Sequence, residues 1–289
     1  MRSFIYTRPA TEGEAAELLA GDARAMGGGT DLLSQLDRGI RPAATVVDLR
    51  GLGMTGIEAD GDGLRIGATT TVSALAADAG VAERYVALST AARAVASPQL
   101  REMGTVGGNL CQQPRCWYFR HPDLTCWLRG GDTCYAQIGD HRKHGLEEGD
   151  CISVAPSDLA AALLALDAQV TTNRRQAFPL EHLYRRPTDD RRVTVDVEQG
   201  EFVTAVTLPV PPDASAYARA GERATWSFAL TGVAAARFES EIRLAAIGIS
   251  NTPRLLDPAD PLDGLPGHEM SRWKRRLLES LVEDAVAAL

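Results

Sequence analysis

All five cysteines of this 289-residue chain lie in one segment, and this clustering constrains the fold more than any other sequence feature. They are Cys111, Cys116, Cys126, Cys134 and Cys151, spaced C-x4-C-x9-C-x7-C-x16-C. Cysteines that serve only as small buried apolar residues would be scattered through the core. Prolines and glycines interrupt the segment and exclude a long helix or strand. The sequence therefore predicts an irregular segment whose loops direct thiolates towards a common centre.

Three kinds of site compete for this segment. A disulfide framework suits small secreted domains, whereas this chain is large, has an odd number of cysteines and shows no secretory signal. Structural zinc sites usually contain short C-x2-C pairs, which are missing. An iron–sulfur cluster needs about four thiolates and tolerates irregular spacing. The spacing favours iron–sulfur, with zinc and free or redox-paired thiols as alternatives. His121, His141 and His144 flank the cysteines and are further candidate ligands, although ordinary hydrogen-bonded histidines would look the same.

Composition excludes several classes of function. A net charge of −8 argues against nucleic acid as a partner. The longest apolar stretch, residues 159–166, is too short to span a membrane. The sequence contains no nucleophile elbow and no metalloprotease motif, so it predicts no acid–base active site of its own.

Hydrophobic periodicity predicts two α/β units followed by a β-rich region. Residues 1–60 read as β-α-β-α-β. A second unit begins near Gly63, contains one long helix at 84–95 and the cysteine segment, and closes with a helix at 159–166 and a strand at 168–172. A polar linker is expected at 173–192. A separate sheet is expected from strands at 202–208, 229–238 and 242–249, followed by a helix with Trp273 and Leu277 on its apolar face.

Two glycine-rich loops are candidate cofactor sites. The first, residues 27–31, lies between a strand and a helix, where bare backbone N–H groups can converge on an anion. It matches neither the dinucleotide fingerprint nor a Walker loop, and an ordinary turn remains the alternative. The second, residues 105–109, adds Thr105 and Asn109 as hydrogen-bonding side chains. Two such loops in neighbouring units predict a dinucleotide held between them.

Asp158 opens the helix that follows the cysteine segment. Its position favours a helix-start carboxylate stabilised by the helix dipole. Accepting hydrogen bonds from ribityl or ribose hydroxyls is the functional alternative.

Taken together, these motifs resemble the FAD-binding middle subunit of the molybdenum hydroxylases, which include xanthine dehydrogenase and carbon monoxide dehydrogenase. The resemblance runs almost end to end. It rests on the motifs at residues 4–6, 27–33, 47–50, 66–71, 99–101, 105–110, 156–159, 200–203, 223–224 and 228–230. Arg115-Cys116-Trp117-Tyr118-Phe119-Arg120 resembles the start of an insertion found in the 4-hydroxybenzoyl-CoA reductase and periplasmic aldehyde oxidoreductase types, which binds a [4Fe-4S] cluster.

The resemblance implies an α/β plus α+β fold. Two subdomains of the vanillyl-alcohol-oxidase type would bind FAD, followed by a C-terminal α+β flavoprotein domain. The implied boundaries are 1–58, 59–175 with the iron–sulfur insertion at about 111–152, and 176–289.

The resemblance also implies the site residues. The FAD-binding set would be Arg24, Ala25, Met26, Gly27, Gly28, Gly29, Thr30, Asp31, Leu32, Thr105, Gly108, Asn109, Arg115, Asp158, Val203 and Arg219. The [4Fe-4S] ligands would be Cys116, Cys126, Cys134 and Cys151, which leaves Cys111 without a ligand role. Arg219 stands where relatives carry a lysine near the flavin, although two neighbouring basic positions are replaced here by Ala218 and Gly221.

The implied function is electron transfer within an oxidoreductase complex. A large molybdenum-cofactor subunit would hydroxylate the substrate, and a small [2Fe-2S] subunit would pass electrons to the FAD, which exchanges them with an external acceptor or donor. A free-standing FAD oxidase and a non-catalytic assembly subunit with a degenerate flavin site are the alternatives. We expect a cytoplasmic protein, or a periplasmic one if it is exported with a partner.

Overall fold

The computed structural model describes residues 2–289. Its first unit is a three-stranded parallel sheet of order β1-β3-β2, which confirms the β-α-β-α-β prediction. The elements are β1 (Ile5–Thr7), α1 (Glu12–Leu19), β2 (Ala23–Met26), α2 (Leu32–Asp37) and β3 (Thr45–Asp48). The first glycine loop connects β2 to α2, as predicted.

The second unit is a five-stranded sheet of order β4-β5-β8-β6-β7. Its strands are β4 (Ile57–Asp60), β5 (Gly63–Gly67), β6 (Gln169–Thr172), β7 (Phe178–Pro179) and β8 (Val203–Leu208). The prediction that β8 belongs to a separate C-terminal sheet was wrong, because β8 is the central strand here, antiparallel to β5 and β6. Strand β8 is buried at all but one of its positions, a pattern that fits the centre of any sheet. The local sequence therefore could not identify the strands that pair with it.

The helices of this unit are short. They are α3 (Val72–Ala77), α4 (Ala79–Arg84), α5 (Val86–Ala94), α6 (Pro98–Met103), α7 (Val106–Leu110), α8 (Tyr135–Ile138) and α9 (Asp158–Ala165). The longer helix expected at 84–95 is observed as α5, which begins two residues later than predicted because the chain breaks at Tyr85 (φ −133°, ψ 61°). The fully buried Tyr85 donates its hydroxyl to the Pro209 carbonyl oxygen at 2.6 Å, a tertiary contact that local periodicity does not reveal.

The expected polar linker at 173–192 is also more structured than predicted. It contains β7 and a short 3₁₀ helix, Leu180–Leu183, in which Leu180 and Leu183 are buried. These two leucines join the main core cluster, so this segment covers part of the second unit.

The C-terminal sheet has the order β12-β11-β10-β9 and lies between two helices. Its elements are β9 (Ala214–Gly221), β10 (Ala229–Phe238), β11 (Glu241–Ile247), β12 (Arg254–Leu256) and α10 (Lys274–Ala287). Along β10, Ala234 and Ala236 belong to the cluster around α9, whereas Val233 and Ala235 belong to the cluster around α10. This alternation follows from the two-residue period of a strand. Trp273, expected on the apolar face of the last helix, is instead 46% exposed just before α10.

Within residues 2–289, no helix is both long and apolar enough to cross a membrane.

Candidate functional site

A cavity of about 670 Å³ opens where the two glycine loops, the start of the cysteine segment and the β9–β10 hairpin meet. It is lined by residues 24–32 and by Thr105, Gly108, Asn109, Arg115 and Asp158, all members of the expected FAD-binding set. Val203 and Arg219 do not line it. Val203 is 5% exposed within the main core, and Arg219 contacts Asp158 from behind the cavity wall.

The two glycine loops pack directly against each other. A Cβ at Gly27 would collide with the Thr105 hydroxyl, and one at Gly28 would collide with the Met103 carbonyl oxygen. The Thr105 hydroxyl accepts a hydrogen bond from the Gly108 N–H at 3.2 Å. Glycine is therefore required for this close backbone approach, which brings the two loops to one wall of the cavity.

Positive charge concentrates beside the first glycine loop. Arg24, Arg41, Arg115 and Arg223 line the cavity. Burial lowers the pKa of Arg41 to about 10, with repulsion from Arg24 adding to the effect. The Nε atoms of Arg24 and Arg115 are buried without a hydrogen-bond acceptor. Buried N–H donors that lack an acceptor, on positively charged side chains, favour an anionic ligand, so the chemistry of this wall fits the diphosphate of a dinucleotide.

Arg41 was missed by the sequence interpretation. It follows α2 in a turn, and no local pattern distinguishes it from a surface arginine. Only the packing of this turn against β2 brings its charge near Arg24.

Asp158 is 4% exposed and occupies the first position of α9. The Tyr217 hydroxyl donates to its Oδ1 at 2.7 Å, and Arg219 Nε lies 3.3 Å from the same oxygen. Burial raises the pKa of Asp158, and Arg219 and Tyr217 oppose this shift. Asp158 thus occupies the expected helix-start position and links α9 to β9 at the cavity wall.

The cysteine segment contains only a short 3₁₀ helix, Trp127–Arg129, and the four-residue α8. All five cysteines are free thiols, so no disulfide joins any of them. Cys116 interacts electrostatically with Cys126 and Cys134, and Cys134 shares a hydrogen bond with Cys151. Cys111 packs against the main core, and burial raises its pKa to about 12. The four expected ligands therefore share one neighbourhood, from which Cys111 is separate.

The thiols are not assembled into a metal site. Among residues 2–289, no group of three or more His, Cys, Asp or Glu side chains is arranged to hold a metal ion. Burial raises the pKa values of Cys116 and Cys126, so these two thiols are held protonated. In contrast, the hydrogen bond from Cys151 lowers the pKa of Cys134 to about 6.

The three flanking histidines are hydrogen-bonded. His121 Nδ1 accepts from the Asp123 N–H, and His141 Nε2 accepts from the Met270 N–H. His144 is 2% exposed, and its Nε2 lies 3.2 Å from Cys116 Sγ at the cavity wall. Trp117 packs edge-on against its ring, with the centroids 4.6 Å apart.

Comparisons with known proteins identify the family of this chain. The family described as "FAD binding domain in molybdopterin dehydrogenase" matches residues 2–211. The aldehyde oxidoreductase FAD-binding subunit PaoB of Escherichia coli (strain K12) is 36% identical over 274 residues, 90% of this chain and 86% of that protein. A xanthine dehydrogenase FAD-binding subunit of Escherichia coli O157:H7 is 40% identical over 110 residues, 37% of this chain and 38% of that protein.

The fold is shared with solved structures. A chain of the Cu,Mo-CO dehydrogenase superposes with a TM-score of 0.74 at 21% identity, covering 99% of this chain and 97% of that one. A chain of quinoline 2-oxidoreductase from Pseudomonas putida 86 gives 0.73 at 19% identity, with the same coverage.

The family match and the similar relatives, together with the mixed α/β fold, identify an FAD-binding subunit of an oxidoreductase. The chain belongs to the family of FAD-binding medium subunits of the molybdenum hydroxylases.

Proposed function

We propose that this chain is the electron-transfer subunit of a molybdenum-dependent hydroxylase or dehydrogenase complex, carrying FAD and a [4Fe-4S] cluster. The cavity between the two glycine loops is the observation on which this proposal depends, because it combines close backbone approach with arginine side chains whose buried Nε–H groups lack an acceptor. FAD would supply one- and two-electron transfer at this position.

The chain's own residues would bind and enclose the cofactor. The first glycine loop, with Arg24 and Arg41, would hold the diphosphate, and the second loop with Thr105 and Asn109 would complete the opposite wall. Asp158 would accept hydrogen bonds from ribityl or ribose hydroxyls. Val203 and Arg219 lie outside the cavity, so we assign them indirect roles, Arg219 through its contact with Asp158.

The four neighbouring thiols support the proposed cluster. Cys116, Cys126, Cys134 and Cys151 supply the donor atoms that a [4Fe-4S] cluster requires. Cys116 and Cys126, which are protonated in the unloaded chain, would lose their protons on loading, because thiolates are the ligands and metal binding releases protons. Cys116 lines the FAD cavity, so the proposed cluster would be next to the flavin.

We propose a modified domain division. The two FAD-binding subdomains, of the vanillyl-alcohol-oxidase type, would cover residues 1–58 and 59–175 together with β8. Both β8 and the family match, which ends at residue 211, support a start for the C-terminal domain after Leu208. The partners would be a large molybdenum-cofactor subunit and a small [2Fe-2S] subunit, with an external electron acceptor or donor.

The first test is the composition of the chain purified without oxygen. We expect about one FAD and about four irons with matching acid-labile sulfide per chain. Cys126→Ser should lose most of the iron, whereas the matched control Cys111→Ser should keep it. Zinc instead of iron, or equal iron in both variants, would contradict the ligand assignment.

The same preparation tests the alternatives. Absence of flavin from the intact complex would favour a degenerate assembly subunit. Complete substrate turnover by this chain alone would favour a free-standing oxidase and contradict the electron-transfer proposal.

A further inference from the structure

Asp31 ends the first glycine loop, where a short side chain would be expected to cap α2. Its carboxylate makes no capping hydrogen bond with that helix. Instead, it accepts from four other groups, three of which belong to the segment 113–120 at the start of the cysteine-rich insertion. These are Arg115 Nη1 at 3.0 Å, Arg120 Nη2 at 2.8 Å and the Gln113 N–H at 2.9 Å, together with Gln35 Nε2 at 2.9 Å.

These bonds occupy the acceptor capacity of the carboxylate. Each oxygen has two lone pairs, and each accepts two hydrogen bonds or charge-assisted contacts from the chain itself. A negative carboxylate would also repel a diphosphate. Asp31 lines the cavity but is thus unsuited to bind the cofactor directly, in contrast to the role expected from the family resemblance.

The partners of Asp31 extend the connection across the cavity. Arg120 also donates to the Pro114 and Gln113 carbonyl oxygens, at 2.9 and 3.0 Å, and so closes the turn that precedes Cys116. Arg115 packs its guanidinium over the Phe228 ring of the β9–β10 hairpin, 4.3 Å from the centroid. One carboxylate therefore connects the glycine loop, the insertion and, through Arg115, the hairpin, and all three form walls of the same cavity.

We propose that Asp31 is a positioning residue that fixes the cysteine-rich insertion to the FAD loop and couples occupation of the cavity to the order of the insertion. The coupling rests on the proposed placement of FAD in this cavity. The coupling acts in both directions. A ligand that stabilises the glycine loop also stabilises the segment bonded to it, and ordering of that segment strengthens binding of the ligand to the loop. It does not depend on a cluster being present.

Arg120 gives the sharpest test, because it contacts Asp31 but does not line the cavity. We expect Arg120→Gln to weaken FAD affinity by about tenfold, measured by quenching of flavin fluorescence, although the residue does not touch the cofactor site. Asp31→Asn should have a similar effect, and the double variant should lose less than the product of the two single losses. Arg120→Lys, which keeps the charge, should recover part of the affinity. Arg243→Gln, which removes another Arg–Asp contact (with Asp167) and does not line the cavity, is the matched control and should bind FAD normally.

Amide hydrogen exchange separates positioning from general destabilisation. In the unaltered chain, FAD should slow exchange across residues 112–120. In Arg120→Gln this protection should decrease, while exchange in α9 and the C-terminal sheet stays unchanged.

Normal FAD affinity and unchanged protection in Arg120→Gln would overturn the proposal. If the unaltered chain bound no FAD, the proposed function would fail instead. If Arg120→Gln did not fold, the comparison of Arg120→Lys with the unaltered chain would decide the question by the same two measurements.

Discussion

At the scale of single residues, Lys274 is the most unusual side chain of the protein. Its side chain is completely buried, and Nζ donates to the backbone carbonyl oxygens of Lys143, His144 and Gly248. Burial lowers its pKa to about 7, from an ordinary value of 10.5. One amine thus joins the start of α10 to the cysteine segment and to the end of β11.

This burial predicts a pH-dependent stability. Between pH 7 and 10.5 the unfolded chain binds a proton at Lys274 that the folded chain releases, so stability rises with pH in this window. The free energy of unfolding, relative to Lys274→Met, should increase by about 1.4 kcal/mol per pH unit. His144, whose pKa burial lowers to about 4, stays neutral throughout and does not contribute.

The measurement is chemical denaturation of both proteins at pH 7, 8 and 9. The thiols titrate in both proteins, so their contribution cancels in the stability difference between the unaltered chain and Lys274→Met. A stability difference that is constant or that decreases with pH would contradict the prediction.

At the scale of elements, a buried carboxylate at the end of β3 joins this strand to its neighbour β1 and to the turn that follows β3. Asp48 is fully buried and accepts from the Tyr6 hydroxyl of β1 at 2.5 Å and from Arg50 Nε and Nη2 at 3.0 and 2.8 Å. Burial alone would raise the pKa of Asp48, but the bonds from Arg50 and Tyr6 outweigh it and lower the pKa to about 2. The carboxylate form is therefore favoured by folding.

Asp48→Asn should destabilise the protein by about 2 kcal/mol at pH 7. Because the folded pKa is depressed, the stabilisation is present above pH 3.8 and is lost as the pH falls towards 2. Urea denaturation at pH 7 and pH 3 should show a smaller difference between the variant and the unaltered chain at the lower pH. Asp60 is exposed, so Asp60→Asn is the control and should have the same free energy of unfolding as the unaltered chain. A destabilisation by Asp48→Asn that is equal at pH 7 and pH 3 would contradict this prediction.

At the scale of the whole molecule, the C-terminal sheet is part of the FAD-binding core. Helix α9 is buried along its entire length and packs against α5 on one side and β10 and β11 on the other. The main hydrophobic cluster accordingly includes residues from both regions, such as Leu163 and Ile247. The matched family region, residues 2–211, thus shares its core with the residues that follow it.

A fragment ending at residue 211 should therefore not fold by itself. Removal of β10 and β11 would expose the apolar face of α9, and large exposed apolar patches are unfavourable in a soluble monomer. We expect the fragment to lack a cooperative thermal transition and to bind no FAD, whereas the full chain should do both. A cooperatively unfolding fragment that retained FAD would show that α9 does not need the C-terminal sheet.

The sequence predicted the features that depend on neighbouring residues. The first α/β unit follows from hydrophobic period and turn chemistry, and the two glycine loops from residue type at a strand–helix junction. The family resemblance then identified the segments that line the cavity. The placement of β8, the break at Tyr85 and the contribution of Arg41 were not predictable in this way, because each depends on partners distant in sequence.

The sequence alone determined the family, the two glycine loops and the existence of a cysteine-rich segment, since each is a property of local residue order. Only the tertiary structure decided that four of the five thiols are neighbours, that Asp31 contacts the cysteine segment and that Arg219 contacts Asp158. The physical reason is that hydrogen bonds and charge interactions act over a few ångströms in space, irrespective of separation along the chain.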